Sequence, residues 1–211
     1  MLFVFDWDGT LCDSLDKIVR CVHLAAHQVG ESLCSDEDVK SIIVLSLTNA
    51  ISTLYPRADD DLVERMAAAY SAAFLADDSP LTLYCGAEET LSTLVDRGHT
   101  LAIATGKSRK GLDRVLSESG IEHFFSASRC ADETKSKPHP KMLFELLDEL
   151  RFTPKDAVMV GDTSFDMEMA QSANMHRIAV SYGSHCVQNL HRFDLSYVAD
   201  SLSDLLYWQY S

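Results

Sequence analysis

The chain opens on an apolar run, Leu2-Phe3-Val4-Phe5, that stops at Asp6-Trp7-Asp8-Gly9-Thr10. A short apolar run closed by a glycine-containing turn predicts a buried strand followed by a loop. Runs of the same kind recur at residues 100–104, 157–160 and 177–180, with a weaker one at 125–128. Three of them end in small or polar clusters: Thr105-Gly106-Lys107, Gly161-Asp162-Thr163 and Ser181-Tyr182-Gly183. Between them, apolar residues fall at helical spacing. Helices are predicted over 87–96, stopped by Arg97-Gly98, and over 108–119, stopped by Gly120. Two more are predicted over 140–150, with Pro140 at the first helical position, and over 164–172. Strands alternating with helices imply βαβ units. The fold class is therefore α/β, a Rossmann-like parallel sheet with helices on both faces.

Residues 14–81 break this rhythm. They hold three stretches with apolar residues at helical spacing, 15–29, 36–54 and 60–76, and no strand-like run. That is too much helix for one crossover. It predicts a small all-α domain inserted after the first strand, so that residues 1–13 and 82–211 form the α/β core and 14–81 the insertion. Asp77-Asp78-Ser79-Pro80 is the expected return linker, and with Asp13-Ser14 it would form a hinge.

Composition narrows the function classes. Hydrophobic residues make up 46% of the 211 and charged residues 24%, enough apolar material for a core without metal or disulfide support. The net charge of −14 repels phosphate backbones and anionic lipids, so neither nucleic acid nor a membrane surface is an expected partner. An anionic small substrate would then need a local cationic site. The six cysteines form no C-x-x-C and no zinc-ribbon spacing, which predicts reduced thiols in a cytoplasmic protein. The N-terminal apolar run is too short for a signal peptide, and no stretch approaches the ~20 apolar residues of a membrane span. A monomer or homodimer is expected.

Four motifs could carry chemistry. Ligands of open parallel sheets bind beyond the carboxyl ends of the strands. Asp6 and Asp8 lie there, two residues apart in a turn that Gly9 lets bend, and can converge on one centre. Asp162 begins the loop after a later strand, with Asp166 four residues on. These aspartates could equally serve as solvated turn or helix-capping residues. Together, Asp6, Asp8 and Asp162 would crowd one sheet edge, and a hard cation would relieve their repulsion. Mg²⁺ suits such a site because it takes few carboxylates and bridges to phosphate. Thr105 and the Gly106 amide could donate to phosphate oxygens. In Lys135-Ser136-Lys137-Pro138-His139-Pro140, Pro138 restricts Lys137 and could aim it inward.

These four motifs in this order resemble the haloacid dehalogenase superfamily. The insertion is similar to the helical cap of the subfamily that includes phosphoglycolate phosphatases and β-phosphoglucomutases. The resemblance implies a Mg²⁺-dependent phosphatase acting on a small phosphorylated metabolite through an aspartyl-phosphate. It implies Asp6 as nucleophile and Asp8 as acid and then base. It implies Thr105, Gly106 and Lys137 as phosphate binders. The metal would be held by Asp6, Asp162 and the main-chain carbonyl of Asp8, with Asp166 in support. One departure stands out: where the family's cap commonly has a glycine, this chain holds Val44.

Rival readings share parts of this pattern. A phosphosugar mutase shares every core motif. A dehalogenase would not need Asp8, and a phosphonatase would need a cap lysine. Outside enzymes, a phospho-acceptor signalling module or a catalytically silent binding protein could use the same fold.

Overall fold

The computed structural model describes residues 1–209 and contains one six-stranded, wholly parallel sheet among them. The strands are β1 (Leu2–Phe5), β2 (Thr100–Thr105), β3 (Phe125–Cys130), β4 (Ala157–Gly161), β5 (His176–Val180) and β6 (Tyr197–Ala199). Their spatial order is β3-β2-β1-β4-β5-β6. The chain runs outward from β1 on one side and from β4 on the other, so the order reverses between β1 and β4. That junction is where an open parallel sheet leaves a crevice for ligand.

Side-chain alternation in β1 explains why both faces are covered. Phe3 and Phe5 point into one apolar layer with Ile103, Leu91 and Leu112, beneath α5 (Ala87–Asp96) and α6 (Arg109–Ser119). Leu2 and Val4 point into the opposite layer with Ala102, Met142, Leu146 and Met169, beneath α7 (Lys141–Leu150) and α8 (Ser164–Ser172). The period-2 direction of side chains makes a four-residue strand of continuous apolar character a central one. The short helix α9 (Val187–Leu190) packs with Met167 and Phe193 near the end of the chain.

Between β1 and α5 lie four helices: α1 (Leu15–Val29), α2 (Asp36–Lys40), α3 (Leu47–Leu54) and α4 (Asp60–Ala76). They share apolar clusters of their own, one around Ile18, Val22 and Val39 and another around Ala26, Ile51 and Met66. Chain entry and exit are tied together, with Asp13 N donating to Thr82 O at 2.8 Å and Tyr84 N to Leu11 O at 3.0 Å.

Two expectations need correction, and one part of the chain went without any. The single helix expected over residues 36–54 is two helices, because the chain turns at 41–46, where Ser46 caps α3 by accepting from Asn49 N. Pro140 precedes its helix instead of opening it; the first helical residue is Lys141. Strand β6 and the 3-10 turns that follow it were not expected at all. All six cysteines are free, and among the described residues no helix is long and apolar enough to cross a membrane.

Candidate active site

Asp6 is the first residue beyond β1, and its amide still continues the sheet by donating to Val160 O of β4 at 2.9 Å. That backbone bond fixes where its side chain starts. The carboxylate is 1% exposed. Its Oδ1 accepts from the Trp7 amide at 2.7 Å and lies 2.7 Å from Lys137 Nζ. Its Oδ2 is buried and has no hydrogen-bond partner. A buried carboxylate oxygen without a donor is costly and calls for a cation or an electrophile.

Asp162 follows β4 across the order reversal. Its Oδ1 accepts from Thr10 Oγ1 at 2.9 Å, and its Oδ2 accepts from the amide and hydroxyl of Ser184 at 2.7 and 2.9 Å. Glycine makes this approach possible: a Cβ on Gly183 would collide with the Asp162 side chain. Asp166 lies in the first turn of α8, where it and Thr163 form a reciprocal cap; its Oδ2 accepts from Thr163 N and Oγ1 at 3.1 and 2.6 Å. Its Oδ1 accepts from Lys137 Nζ at 2.6 Å. Lys137 therefore sits between Asp6 and Asp166, with its own side chain fully buried.

Burial, ahead of all other influences, pushes the Asp6 carboxyl well above the usual carboxylate range; Lys137 opposes this, and Asp166 and Asp162 add to it. Burial likewise raises Asp162 to about 6, assisted by Asp166 and opposed by the Ser184 and Thr10 donors. Burial disfavours the charge on Lys137 as well, yet Asp166 and Asp6 together hold its ammonium above the ordinary lysine range. Three carboxyl groups share one ammonium, so Asp6 and Asp162 resist ionisation unless further positive charge enters the pocket.

The chemistry of this donor set fits a hard divalent cation. Asp6, Asp162 and Asp166 each offer a carboxylate oxygen, and these atoms lie within 4.8 Å of one another. The orphaned Asp6 oxygen is an independent sign of the same need.

Asp8 points elsewhere. Its Oδ1 accepts from Ser14 Oγ at 2.5 Å and lies 3.0 Å from Lys107 Nζ. The carboxylate is thus apart from the Asp6–Asp162–Asp166 group, held between the start of α1 and the loop after β2. Thr105 is the last residue of β2, fully buried, and its hydroxyl accepts from the Lys107 amide at 3.2 Å. Gly106 is pressed against the helical insertion: a Cβ there would collide with the main-chain carbonyls of Val44 and Leu45. The turn at 41–46 makes two further contacts with the core, Ser46 N to Ser136 Oγ at 2.9 Å and His185 Nε2 with Ser41 O at 3.0 Å.

Sequence reasoning selected Asp6, Asp8, Thr105, Gly106, Lys137, Asp162 and Asp166, and all seven lie at the carboxyl edge of the sheet. It missed Lys107 as the partner of Asp8, and Ser14, Thr10 and Ser184 as donors to the carboxylates. Lys107 was the findable one, a cation directly following Thr105-Gly106. Nothing local marks Ser184, which lies 22 residues from Asp162.

Comparison with known proteins places the chain in a family. A family model for haloacid dehalogenase-like hydrolases matches residues 3–180. A relative from Dickeya dadantii named "Probable phosphatase IndB" is 30% identical over 212 residues, covering 97% of this chain and 91% of its own. A phosphoglycolate phosphatase from Aliivibrio fischeri is 31% identical over 191 residues, covering 86% of this chain and 84% of its own. The crystal structure of a hydrolase from Pseudomonas syringae shares the fold with a TM-score of 0.88, at 21% identity over 97% of this chain and 95% of that one. With the family model spanning most of its length, this chain belongs to the haloacid dehalogenase-like hydrolases.

Proposed function

We propose that this chain hydrolyses phosphate monoesters of small metabolites through a covalent phosphoryl intermediate on Asp6. The observation that carries the reading is the Asp6 carboxylate itself: one oxygen held by Lys137 and the Trp7 amide, the other buried without a donor, at the order reversal of the sheet. The names of the curated relatives support a phosphorylated small molecule as substrate.

Asp6, Asp162 and the main-chain carbonyl of Asp8 would hold Mg²⁺, with Asp166 orienting Lys137 beside it. Bound there, Mg²⁺ supplies positive charge against the anionic phosphoryl group. Lys137, the Gly106 amide and the Thr105 hydroxyl add donors for the equatorial oxygens, whose charge grows in the transition state. An Asp6 oxygen forms the new bond to phosphorus as the bond to the leaving alcohol breaks, and Asp8 gives the departing oxygen a proton. In the second half, Asp8 takes a proton from water, the water oxygen bonds to phosphorus, and the bond to Asp6 breaks to release phosphate. The division between core (1–13, 82–211) and helical cap (14–81) gives this chemistry a cover that excludes bulk water, with Asp13-Ser14 and Asp77–Pro80 as the connecting strands of chain. Free thiols suit a reducing compartment, and we place the enzyme in the cytoplasm.

Asp6→Asn tests the reading with p-nitrophenyl phosphate and Mg²⁺. Turnover should fall by at least about a thousandfold with the fold retained by circular dichroism. Chelation should silence the wild type and Mg²⁺ restore it. A near-normal rate in Asp6→Asn would remove Asp6 from the nucleophile's role.

A further inference from the structure

Two cavities open on Asp8 and share Phe74 and Lys107 in their walls. The smaller, about 270 Å³, has mixed walls, and its two basic residues beside Lys107 already have partners. Lys17 Nζ donates to Asp77 O at 2.8 Å, and Arg20 lies 3.2 Å from the Asp77 carboxylate. The larger, about 710 Å³, runs from Gly106 and Lys107 into the interior of the helical insertion, between α1, α3 and α4. Its walls are mainly apolar, and the half-buried Ile43, Leu45, Leu47, Leu54, Tyr70 and Phe74 carry the surface that a ligand could reach. The charged side chains along it are few: Lys107 pairs with Asp8, Arg114 lies over the Phe74 ring at 5.0 Å, and Lys110 is solvent-exposed. Asp132 stands with Lys110 on the core side and accepts from the Arg109 amide at 2.9 Å.

A cavity of this size suits a drug-sized ligand body, not a two-carbon acid. A glycolate leaving group would leave most of the space either empty or filled with water against aliphatic walls, and apolar surface favours neither. We propose that the preferred substrates are phosphate monoesters of alcohols with an extended, uncharged apolar body. The phosphoryl group would sit at Asp6 and the apolar body between the helices of the insertion. This rests on the phosphatase reading above and specifies which esters that site takes. Recognition of the leaving group would then come from burial rather than from ion pairing, so each added methylene should tighten binding until the cavity is full.

The test is a series of alkyl phosphates, ethyl, butyl, hexyl and octyl, kept below micellar concentrations, with phosphoglycolate alongside. The kcat/KM should rise about two- to fourfold per added methylene, at least about 60-fold from ethyl to octyl. Ala50→Leu, which narrows the cavity from α3, should cut the octyl rate while leaving the ethyl rate unchanged. In parallel, calorimetry with ethyl- and octylphosphonate, which are not hydrolysed, measures the cavity without turnover and without the variant. Octylphosphonate should bind at least about 60-fold more tightly than ethylphosphonate. Hydrolysis of phosphoglycolate or ethyl phosphate as efficient as that of octyl phosphate would overturn the inference and leave the phosphatase reading standing. Failure to hydrolyse any ester would overturn the phosphatase reading, and equal affinity for the two phosphonates would then overturn the cavity inference as well.

Discussion

Lys107 Nζ stands 3.0 Å from Asp8 Oδ1, so the carboxylate proposed to move protons is anchored by a cation from the loop after β2. Ser14 Oγ closes the same oxygen from the start of α1. The pair joins three segments of chain at one atom and sets the direction in which Asp8 can reach. Lys107→Met leaves Asp8 with Ser14 alone. The expected result is a fall in kcat of about 10- to 100-fold, larger than any change in KM, because a misplaced acid-base group costs rate more than binding. Steady-state kinetics with a fixed aryl phosphate decides it, and an unchanged kcat would make the contact merely structural.

Lys137 is the only ammonium in contact with both Asp6 and Asp166 among the described residues, and all three side chains are buried. Removing one partner of such a cluster leaves uncompensated charge in the interior. Lys137→Met should lower the stability of the metal-free protein by about 3–5 kcal/mol at neutral pH. Urea unfolding in chelator measures it. A loss below about 1 kcal/mol would show that water reaches the cluster and that the lysine is not its counter-charge.

Proton linkage gives a pH signature for the metal-free protein. Asp162 is raised from an ordinary value of 3.8 to about 6, first by burial, and Asp6 is raised for the same leading reason. A carboxyl whose folded pKa exceeds its unfolded one binds more protons in the folded state between those values. Its stabilising contribution is therefore complete below pH 3.8 and is lost as pH rises through about 6. A cation at the cluster competes with those protons. The rise in Tm on adding Mg²⁺ should accordingly be small at pH 5 and larger at pH 7.5. Equal shifts at both pH values would place the bound ion away from Asp6 and Asp162.

Gly106 meets the carbonyls of Val44 and Leu45, so any side chain there must push the turn of the insertion away from the sheet. Gly106→Ala should lower kcat/KM by about tenfold or more, since a misplacement near 1 Å is enough to cost that much. It should also speed proteolysis in the linker at Asp77–Pro80, with little change in the melting of the core. Wild-type kinetics and cleavage rates in Gly106→Ala would show that the turn yields without consequence.

Much of the core was legible because its signals are local. Leu2–Phe5 is short, wholly apolar and closed by a glycine turn, and nothing distant is needed to read it as a buried strand. The helices Leu15–Val29, Asp60–Ala76 and Ala87–Asp96 were equally plain from apolar spacing and their stops. Strand β6 was not, since Tyr197–Ala199 is three residues long and too brief for alternation to show. The break at 41–46 was hidden for another reason. Ile42, Val44 and Leu45 keep helical spacing with their neighbours, yet their backbone is used against Gly106 and Ser136 of the core. Tertiary contact overrode local propensity there.

Reading residue types along the chain is enough to place the Asp6, Thr105 and Asp162 motifs at the ends of parallel strands, because strand period and turn chemistry act over a few residues. Which oxygen each donor meets is another matter. Lys137 reaches Asp166 across 29 positions, Thr10 reaches Asp162 across 152, and Lys107 rather than solvent holds Asp8. Those pairings, the donorless oxygen of Asp6 and the apolar cavity that opens on Asp8 exist only once the sheet order and the packing of the insertion are set. Burial and proximity are properties of the folded whole, and no local pattern in the chain encodes them.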